Sequence, residues 1–364
     1  MKILHVCENI KGGVATHLNE LLSHQCKAYG YENVRVVLPE EQIKNLDYTK
    51  NIASYPYHKR NLKYIVKAIM YIHKQIIAFK PDVIHLHSTF PGIFVRVLAL
   101  FKKTNNYKIL YCSHGWSFLM ETGKFKKLLY KETERLLSKV TDRIINISHY
   151  EQTQSLKYGI GKGKSVVVYN GISVQSNCEV SPPPVTRDLE NFSKSYINIL
   201  FVGRFDFQKG IDYLIEEYKT LTTSNIRLHL IGDYVLGSSR VDIPSDVYEY
   251  GWVSNNLLNL YYKQADVVVV PSRWEGFGIV SIEALKHSCA LIVSNRGALP
   301  EIVGTNDIGY IFNLEKGALA GIMENLEKSK CRELGSKGYD IFTEKFTSSQ
   351  MVKKIDTEYS DLLL

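Results

Sequence analysis

No apolar run in this 364-residue chain reaches the roughly 18 residues that a membrane-spanning helix needs. The closest, residues 90–101, is broken by Arg96. The first residues, Met1 to Cys7, lead into Gly12-Gly13 rather than a small-residue cleavage site, so they read as a strand and not as a signal peptide. Cysteine is scarce. The six residues at 7, 26, 112, 178, 289 and 331 contain no C-x-x-C pair, and most lie inside apolar segments. That pattern excludes a disulfide framework and the common zinc spacings, and predicts reduced core thiols in a cytoplasmic protein. No tandem repeat of 20–50 residues is present, no recognised nucleic-acid module appears, and no D-x-D motif falls at the end of a predicted strand.

Hydrophobic residues make up 45% of the chain and charged residues 23%, the balance of a soluble globular protein, and the length suffices for two domains. The net charge of +8 conceals an asymmetry. Residues 1–180 hold 26 basic against 13 acidic side chains, whereas residues 181–364 hold 19 against 24. The basic half therefore suits an anionic surface. A cytoplasmic membrane leaflet is a better partner than nucleic acid, since basic residues beside such a leaflet contribute about 1 kcal/mol each. Lys59-Arg60, Lys102-Lys103, Lys124, Lys126 and Lys127 are the candidate contacts. The last three open an amphipathic basic helix over residues 123–139, near Trp116, Phe118, Leu119 and Phe125.

Apolar strands alternate with helical patterns about six times up to residue 172. This predicts a parallel sheet with helices on both faces. The strand at residues 81–87 carries His85 and His87 on one face, a pair with no visible third metal ligand, and His87 at its C-terminal end is placed to line a cleft. The next strand delivers Ser113-His114-Gly115 at its end. Residues 173–194 are polar, contain three consecutive prolines and show no periodicity, so they read as a linker. A second alternating run begins at residue 197 and ends with helices over 316–334, 337–346 and 351–364.

One stretch of the second run concentrates chemistry. Val267 to Val270 is a buried strand. Glu275-Gly276-Phe277-Gly278 is a turn, and a helix carrying Glu283 follows. A helix start offers unpaired N–H groups and a dipole that favours anions. Upstream, Gly203-Arg204 ends one strand and Lys209 precedes a helix, so two cations can meet an anion at the same mouth. Gly232 ends a further strand. Cations, an amide-lined helix tip and two carboxylates suit a phosphorylated ligand rich in hydroxyls.

At these residues the sequence resembles the retaining glycosyltransferases of family 4, with the GT-B fold. The match comprises Pro-Ser-x-x-Glu275-Gly-Phe-Gly with seven residues between Glu275 and Glu283, Gly203-Arg204 with Lys209-Gly210, Gly12-Gly13, and Ser113-His114-Gly115. It extends over nearly the whole chain. The resemblance implies an α/β architecture of two doubly wound Rossmann-like domains with a cleft between them. An acceptor-binding domain would span residues 1–175, a linker 176–195 and a nucleotide-sugar domain 196–345. A last helix, 346–364, would cross back onto the first domain.

Under that resemblance the donor is a nucleotide sugar, expected to carry UDP, used as substrate with no further cofactor and no metal. Arg204 and Lys209 would bind its diphosphate. Glu283 would hold the ribose, and Glu275 the sugar hydroxyls. The backbone of Phe277, Gly278, Ile279 and Val280, beside Gly276 and Gly203, would complete the cradle. The base would lie near Gly232, Trp252 and Val253. Gly12 and Gly13 would let the first domain close on the donor, and His114 would sit under the sugar. The expected acceptor is a glycan or a lipid-diphosphate-linked sugar in capsule, O-antigen or exopolysaccharide assembly, met at the inner face of the cell membrane. Two rivals stand beside this reading. One is a non-catalytic nucleotide-sugar-binding protein. The other is an NAD-dependent epimerase using Tyr158 and Lys162, which the glycines between them oppose.

Overall fold

The computed structural model describes all residues except 49, 57–60, 102–105, 176–186, 236, 238 and 305–306. The chain divides into two compact units, one of Met1–Ile172 with Ser348–Leu364 and one of Ser173–Thr347.

The first unit is a seven-stranded parallel sheet built from β1 (Ile3–Val6), β2 (Val34–Pro39), β3 (Ile52–Tyr55), β4 (Val83–His87), β5 (Lys108–Cys112), β6 (Arg143–Asn146) and β7 (Ser165–Val167), in the order β3-β2-β1-β4-β5-β6-β7. The intervening helices are α1 (Gly13–Tyr29), α2 (Leu62–Phe79), α3 (Thr89–Leu100), α4 (Lys124–Leu137) and α5 (His149–Lys157). β1 and β4 are fully buried along their length, as strands covered by helices on both faces must be. The strand order reverses between β1 and β4, so a crevice opens outside their C-terminal ends. The loops after β1 and β4 border it, and the loop after β5 is the next one along.

Arg96, which interrupts the most apolar stretch of the chain, is fully buried on α3. Its guanidinium pairs with Glu134 of α4 at 2.9 Å, lies 3.7 Å from the Tyr111 ring centre and donates to the Gly92 carbonyl. A charge in such a place persists because a partner is buried with it.

The second unit repeats the plan with six parallel strands: β8 (Ile197–Val202), β9 (Ile226–Ile231), β10 (Tyr248–Glu249), β11 (Val267–Val270), β12 (Ala290–Ser294) and β13 (Gly309–Phe312), ordered β10-β9-β8-β11-β12-β13. Its helices are α6 (Ile211–Tyr218), α7 (Asn255–Tyr262), α8 (Ile279–Lys286), α9 (Leu299–Val303), α10 (Ala318–Glu324) and α11 (Lys328–Lys345). The strand order reverses between β8 and β11, which places the 203–210 and 271–278 loops at the crevice. Phe201, Leu214, Leu228 and Val267 form part of one core between sheet and helices.

The break between the last helices of this unit falls at residues 325–327, not at 335–336 as the glycine-bearing sequence suggests. Gly335 and Gly338 lie inside α11, where a β-carbon would come within 1.9 Å of the Ser288 carbonyl oxygen and 2.7 Å of a Leu285 methyl. They allow close packing and do not end the helix. The last helix, α12 (Ser348–Leu363), belongs to the first unit. There the Ser348 amide donates to the Ile172 carbonyl, Arg143 pairs with Glu358, and Tyr359 is fully buried.

Candidate functional site

In the second unit the 203–210 loop is a compact turn. Asp206 ties it together, accepting the Lys209 N–H at 2.9 Å through one carboxylate oxygen and pairing with the Arg204 guanidinium at 3.0 Å through the other. Arg204 also donates to Gln208 Oε1 at 2.9 Å and keeps nearly half its surface exposed. Gly210 starts α6 at φ 72°, and a β-carbon there would lie 2.1 Å from the Pro271 carbonyl oxygen. The glycine therefore lets the loop after β8 close against the loop after β11.

That closure brings Lys209 onto Glu275. Its ammonium pairs with Glu275 Oε1, which also accepts the Ser272 hydroxyl at 3.0 Å, and both side chains are largely buried. Gly297 allows the Glu275 backbone in, since a β-carbon on it would sit 2.0 Å from the Glu275 carbonyl oxygen. Gly278 begins α8 at φ 92°. At a helix start the amides of Ile279 and Val280 have no carbonyl one turn back to bond. Phe277 is in the core, so its side chain does not face a ligand at this turn.

Glu283 is half-buried and accepts the Tyr262 hydroxyl at 2.8 Å. Burial raises its carboxyl pKa, while the Tyr262 bond and the charges of Lys286 and Lys209 pull it down. Lys209 is thus within electrostatic reach of both glutamates. Gly232 lies against the Gly203 carbonyl, where a β-carbon would meet the oxygen at 1.8 Å, and its N–H donates to the Gly251 carbonyl. That bond ties it to the ledge carrying Trp252, 62% exposed, and half-exposed Val253. Arg204, Lys209, Glu275, Glu283, the α8 start and the Gly203–Gly232 contact therefore stand around one crevice of the second unit. Tyr262, Asp206 and Gly297, which support these residues, were not singled out in the sequence; Ser272 is the serine of the Pro-Ser-x-x-Glu275 motif, and Asp206 sits between Arg204 and Lys209.

The first unit holds Gly12, Gly13 and His114. Gly12 has φ 54°, precedes α1 and has open space around its α-carbon. One turn into α1, the ring of His17 lies 4.6 Å from that of His114. His114 is half-buried and, unusually for a residue with a side chain, has φ 52°. Behind it runs a line of buried histidines. His114 Nε2 is 2.9 Å from His87 Nδ1, His87 Nε2 is 3.0 Å from His5 Nδ1, and His5 Nε2 is 2.7 Å from Gln25 Oε1. Tyr359 of α12 bonds both Gln25 and His85. Burial lowers every pKa in the group, to about 4 for His5 and His17 and well below the ordinary imidazole value for His85, His87 and His114, so the rings are uncharged at neutral pH.

His87 is fully buried and does not line a cleft; it backs His114, which stands further out. The pair His85 and His87 gains neighbours from β1, as the β1–β4 register sets His5 beside His85. Trp116 and Phe118 are core residues, 1% and 3% exposed, and so cannot form an apolar contact surface. Such a surface exists on α4, where Phe125, Leu128 and Leu129 are exposed beside Lys124 and Lys126. Lys59, Arg60, Lys102 and Lys103 lie outside the described residues.

Two family models match the chain in series: Glycosyltransferase Family 4 over residues 11–176 and Glycosyl transferases group 1 over residues 186–340. An uncharacterized 41.2 kDa protein in the cps region of Klebsiella pneumoniae is 37% identical over 362 residues, 97% of each chain. The UDP-Gal:alpha-D-GlcNAc-diphosphoundecaprenol alpha-1,3-galactosyltransferase of Escherichia coli is 24% identical, covering 84% of this chain and 82% of that one. Among solved structures, Anabaena HepE in complex with UDP superposes with TM-score 0.76 at 18% identity, over 99% of this chain and all of that one. Sucrose-phosphate synthase from Thermosynechococcus elongatus gives TM-score 0.82 at 18% identity, over 100% and 99%. The two parallel Rossmann-like sheets, the glycine-shaped crevice with its cations and acids, and these matches together show that the chain belongs to the GT-B glycosyltransferases of family 4, with a group 1 second domain.

Proposed function

We propose that this glycosyltransferase transfers a sugar from a UDP-sugar, with retention of anomeric configuration and without a metal ion, to a lipid-diphosphate-linked glycan in surface-polysaccharide assembly. The observation that carries the proposal is the setting of Lys209. Its mostly buried ammonium, held by Glu275 between two glycine-shaped loops, needs only a phosphate oxygen to replace or share its carboxylate partner. Arg204, held in place by Asp206 and Gln208, supplies a second cation with free surface.

The reaction breaks the bond between the anomeric carbon and the diphosphate oxygen, and the electron pair leaves with UDP. Arg204, Lys209 and the amides at the start of α8 stabilise that charge where it develops. The acceptor hydroxyl attacks the same face of the sugar, and its proton passes to the departing phosphate oxygen. Glu275 is assigned to sugar hydroxyls, Glu283 to the ribose, and His114 to the sugar. Gly12 and Gly13 let backbone approach the donor, and the base rests by Gly232, Trp252 and Val253. The lipid-linked acceptor is supported by the diphosphoundecaprenol-linked substrate in the name of the E. coli galactosyltransferase, and the polysaccharide setting by the cps-region relative. The exposed basic and apolar face of α4 supports contact with an anionic membrane.

Radiolabelled UDP-sugars test the chemistry. Transfer or slow hydrolysis, unchanged by EDTA, supports it. Tight binding with neither, after a panel of nucleotide sugars has been screened by thermal shift, points to the non-catalytic reading. Co-sedimentation with anionic vesicles tests the membrane, and no binding at low or high salt refutes that part.

A further inference from the structure

We propose that the Gln25 amide, acting through His5 and His87, sets the tautomer of His114 and leaves His114 Nδ1 as a hydrogen-bond acceptor.

A neutral imidazole donates through one nitrogen and accepts through the other. Three such rings in series therefore form one unit with two possible polarities, and the group at the buried end selects between them. That group is Gln25, fully buried on α1, whose Oε1 faces His5 Nε2 at 2.7 Å. An amide oxygen only accepts, so His5 carries its hydrogen on Nε2. His5 Nδ1 then accepts from His87 Nε2–H at 3.0 Å, and His87 Nδ1 accepts from His114 Nε2–H at 2.9 Å. His114 is left with a lone pair on Nδ1, which has no hydrogen-bond partner among the described residues. Turning the amide over would reverse every donor in the line.

Tyr359 holds the amide. Its oxygen accepts Gln25 Nε2–H at 3.2 Å, and its own hydrogen goes to His85 Nδ1 at 2.6 Å. The end of the chain thus orients a side chain that projects from the other end of the network. The same rings also form two trios with nitrogens within 4.8 Å of one another, close enough to suggest a metal. Two imidazoles on a tetrahedral zinc at about 2.0–2.1 Å stand roughly 3.3 Å apart. In each trio one pair is closer than that and shares a hydrogen, His5 with His87 and His87 with His114, while the third ring, His85 or His17, turns its Nδ1 to Tyr359 or Asn170 and keeps a buried Nε2 without a partner.

The consequence is chemical. His114 with a free Nδ1 takes a hydrogen bond from a hydroxyl; in the reverse polarity it would give one. Its effect on turnover rests on the reading of His114 as a sugar-contacting residue, whereas the tautomer itself does not.

Two-bond 1H–15N correlation on 15N-histidine protein at pH 7.5 reads the tautomers directly, with His114 assigned by the signal lost in His114→Asn. The expected result is hydrogen on Nε2 and none on Nδ1. Hydrogen on Nδ1, or zinc at one equivalent shifting all three rings, overturns the proposal in wild-type protein with no variant needed. Gln25→Leu should abolish the single tautomer and lower kcat about ten-fold with donor KM within about two-fold. Gln25→Glu, which keeps an acceptor, should preserve both. A Gln25→Leu spectrum identical to wild type at His114 refutes the role of Gln25, even if the chain proves to have no transferase activity.

Discussion

Replacing Lys209 with methionine isolates the charge at the centre of the candidate site. The methionine keeps most of the stem and removes the ammonium that pairs with Glu275 Oε1. Two effects follow, and their sizes separate them. Glu275 keeps the Ser272 hydroxyl at 3.0 Å but loses its counter-charge, which costs on the order of 1–3 kcal/mol of stability. At roughly 2–4 °C per kcal/mol for domains of this size, the melting temperature should fall by several degrees while the protein stays folded at 25 °C. The kinetic loss should be larger. A single preorganised donor to a developing oxyanion contributes about 2.7–4 kcal/mol, so kcat should fall about a hundred- to a thousand-fold. Circular dichroism at 25 °C confirms the fold, and release of UDP from the donor that the thermal-shift panel selects gives kcat and KM. Glu275→Gln and the double variant complete a cycle. Because the two side chains share one contact, their losses should not add. A kcat/KM for Lys209→Met within about three-fold of wild type would refute the role of Lys209 in stabilising the leaving group.

Glu283→Gln should leave the melting temperature at pH 8 unchanged or raised while weakening UDP binding about ten-fold, because desolvation makes the carboxylate unfavourable to the fold while the proposed function gives it the ribose to hold. Its folded pKa lies above the ordinary carboxylate value, so its ionisation costs stability as pH rises through that pKa, and titrations of wild type and variant should diverge there. His5 and His17 have pKa values lowered from 6.5 to about 4, so the unfolded chain binds protons that the folded chain refuses. Stability should therefore be full above 6.5 and decline as pH falls towards 4, and His17→Gln should flatten that decline in urea unfolding series. Arg96→Met leaves Glu134 buried without its partner and should destabilise the first unit by about 3–5 kcal/mol, with Arg96→Met/Glu134→Leu recovering much of it in the same measurement.

Much of this protein is legible in its residues. Strands such as Val267 to Val270 must be buried on both faces, and their alternation with helices leaves a parallel sheet as the economical arrangement. The loops that carry Gly203-Arg204, Lys209-Gly210 and Glu275 to Gly278 declare themselves by glycine and charge at strand ends, and all of them border the crevice of the second unit. Glycine inside α11 was misleading, because a residue that breaks an isolated helix is also the one that lets two backbones touch. Residues 90–101 read as apolar with one charge, and nothing local says that Glu134 waits for it.

Sequence alone pointed to most of the elements and to the loops where glycine and charge concentrate, because periodicity and turn composition act over a few residues. Tertiary structure alone decided which groups meet: Lys209 with Glu275 across 66 positions, His5 with His87 across 82, and Tyr359 with His85 across 274. Contacts at such separations depend on strand order and register, which no local pattern encodes. The two histidines of β4 looked like an isolated pair until β1, α1 and α12 placed their partners around them.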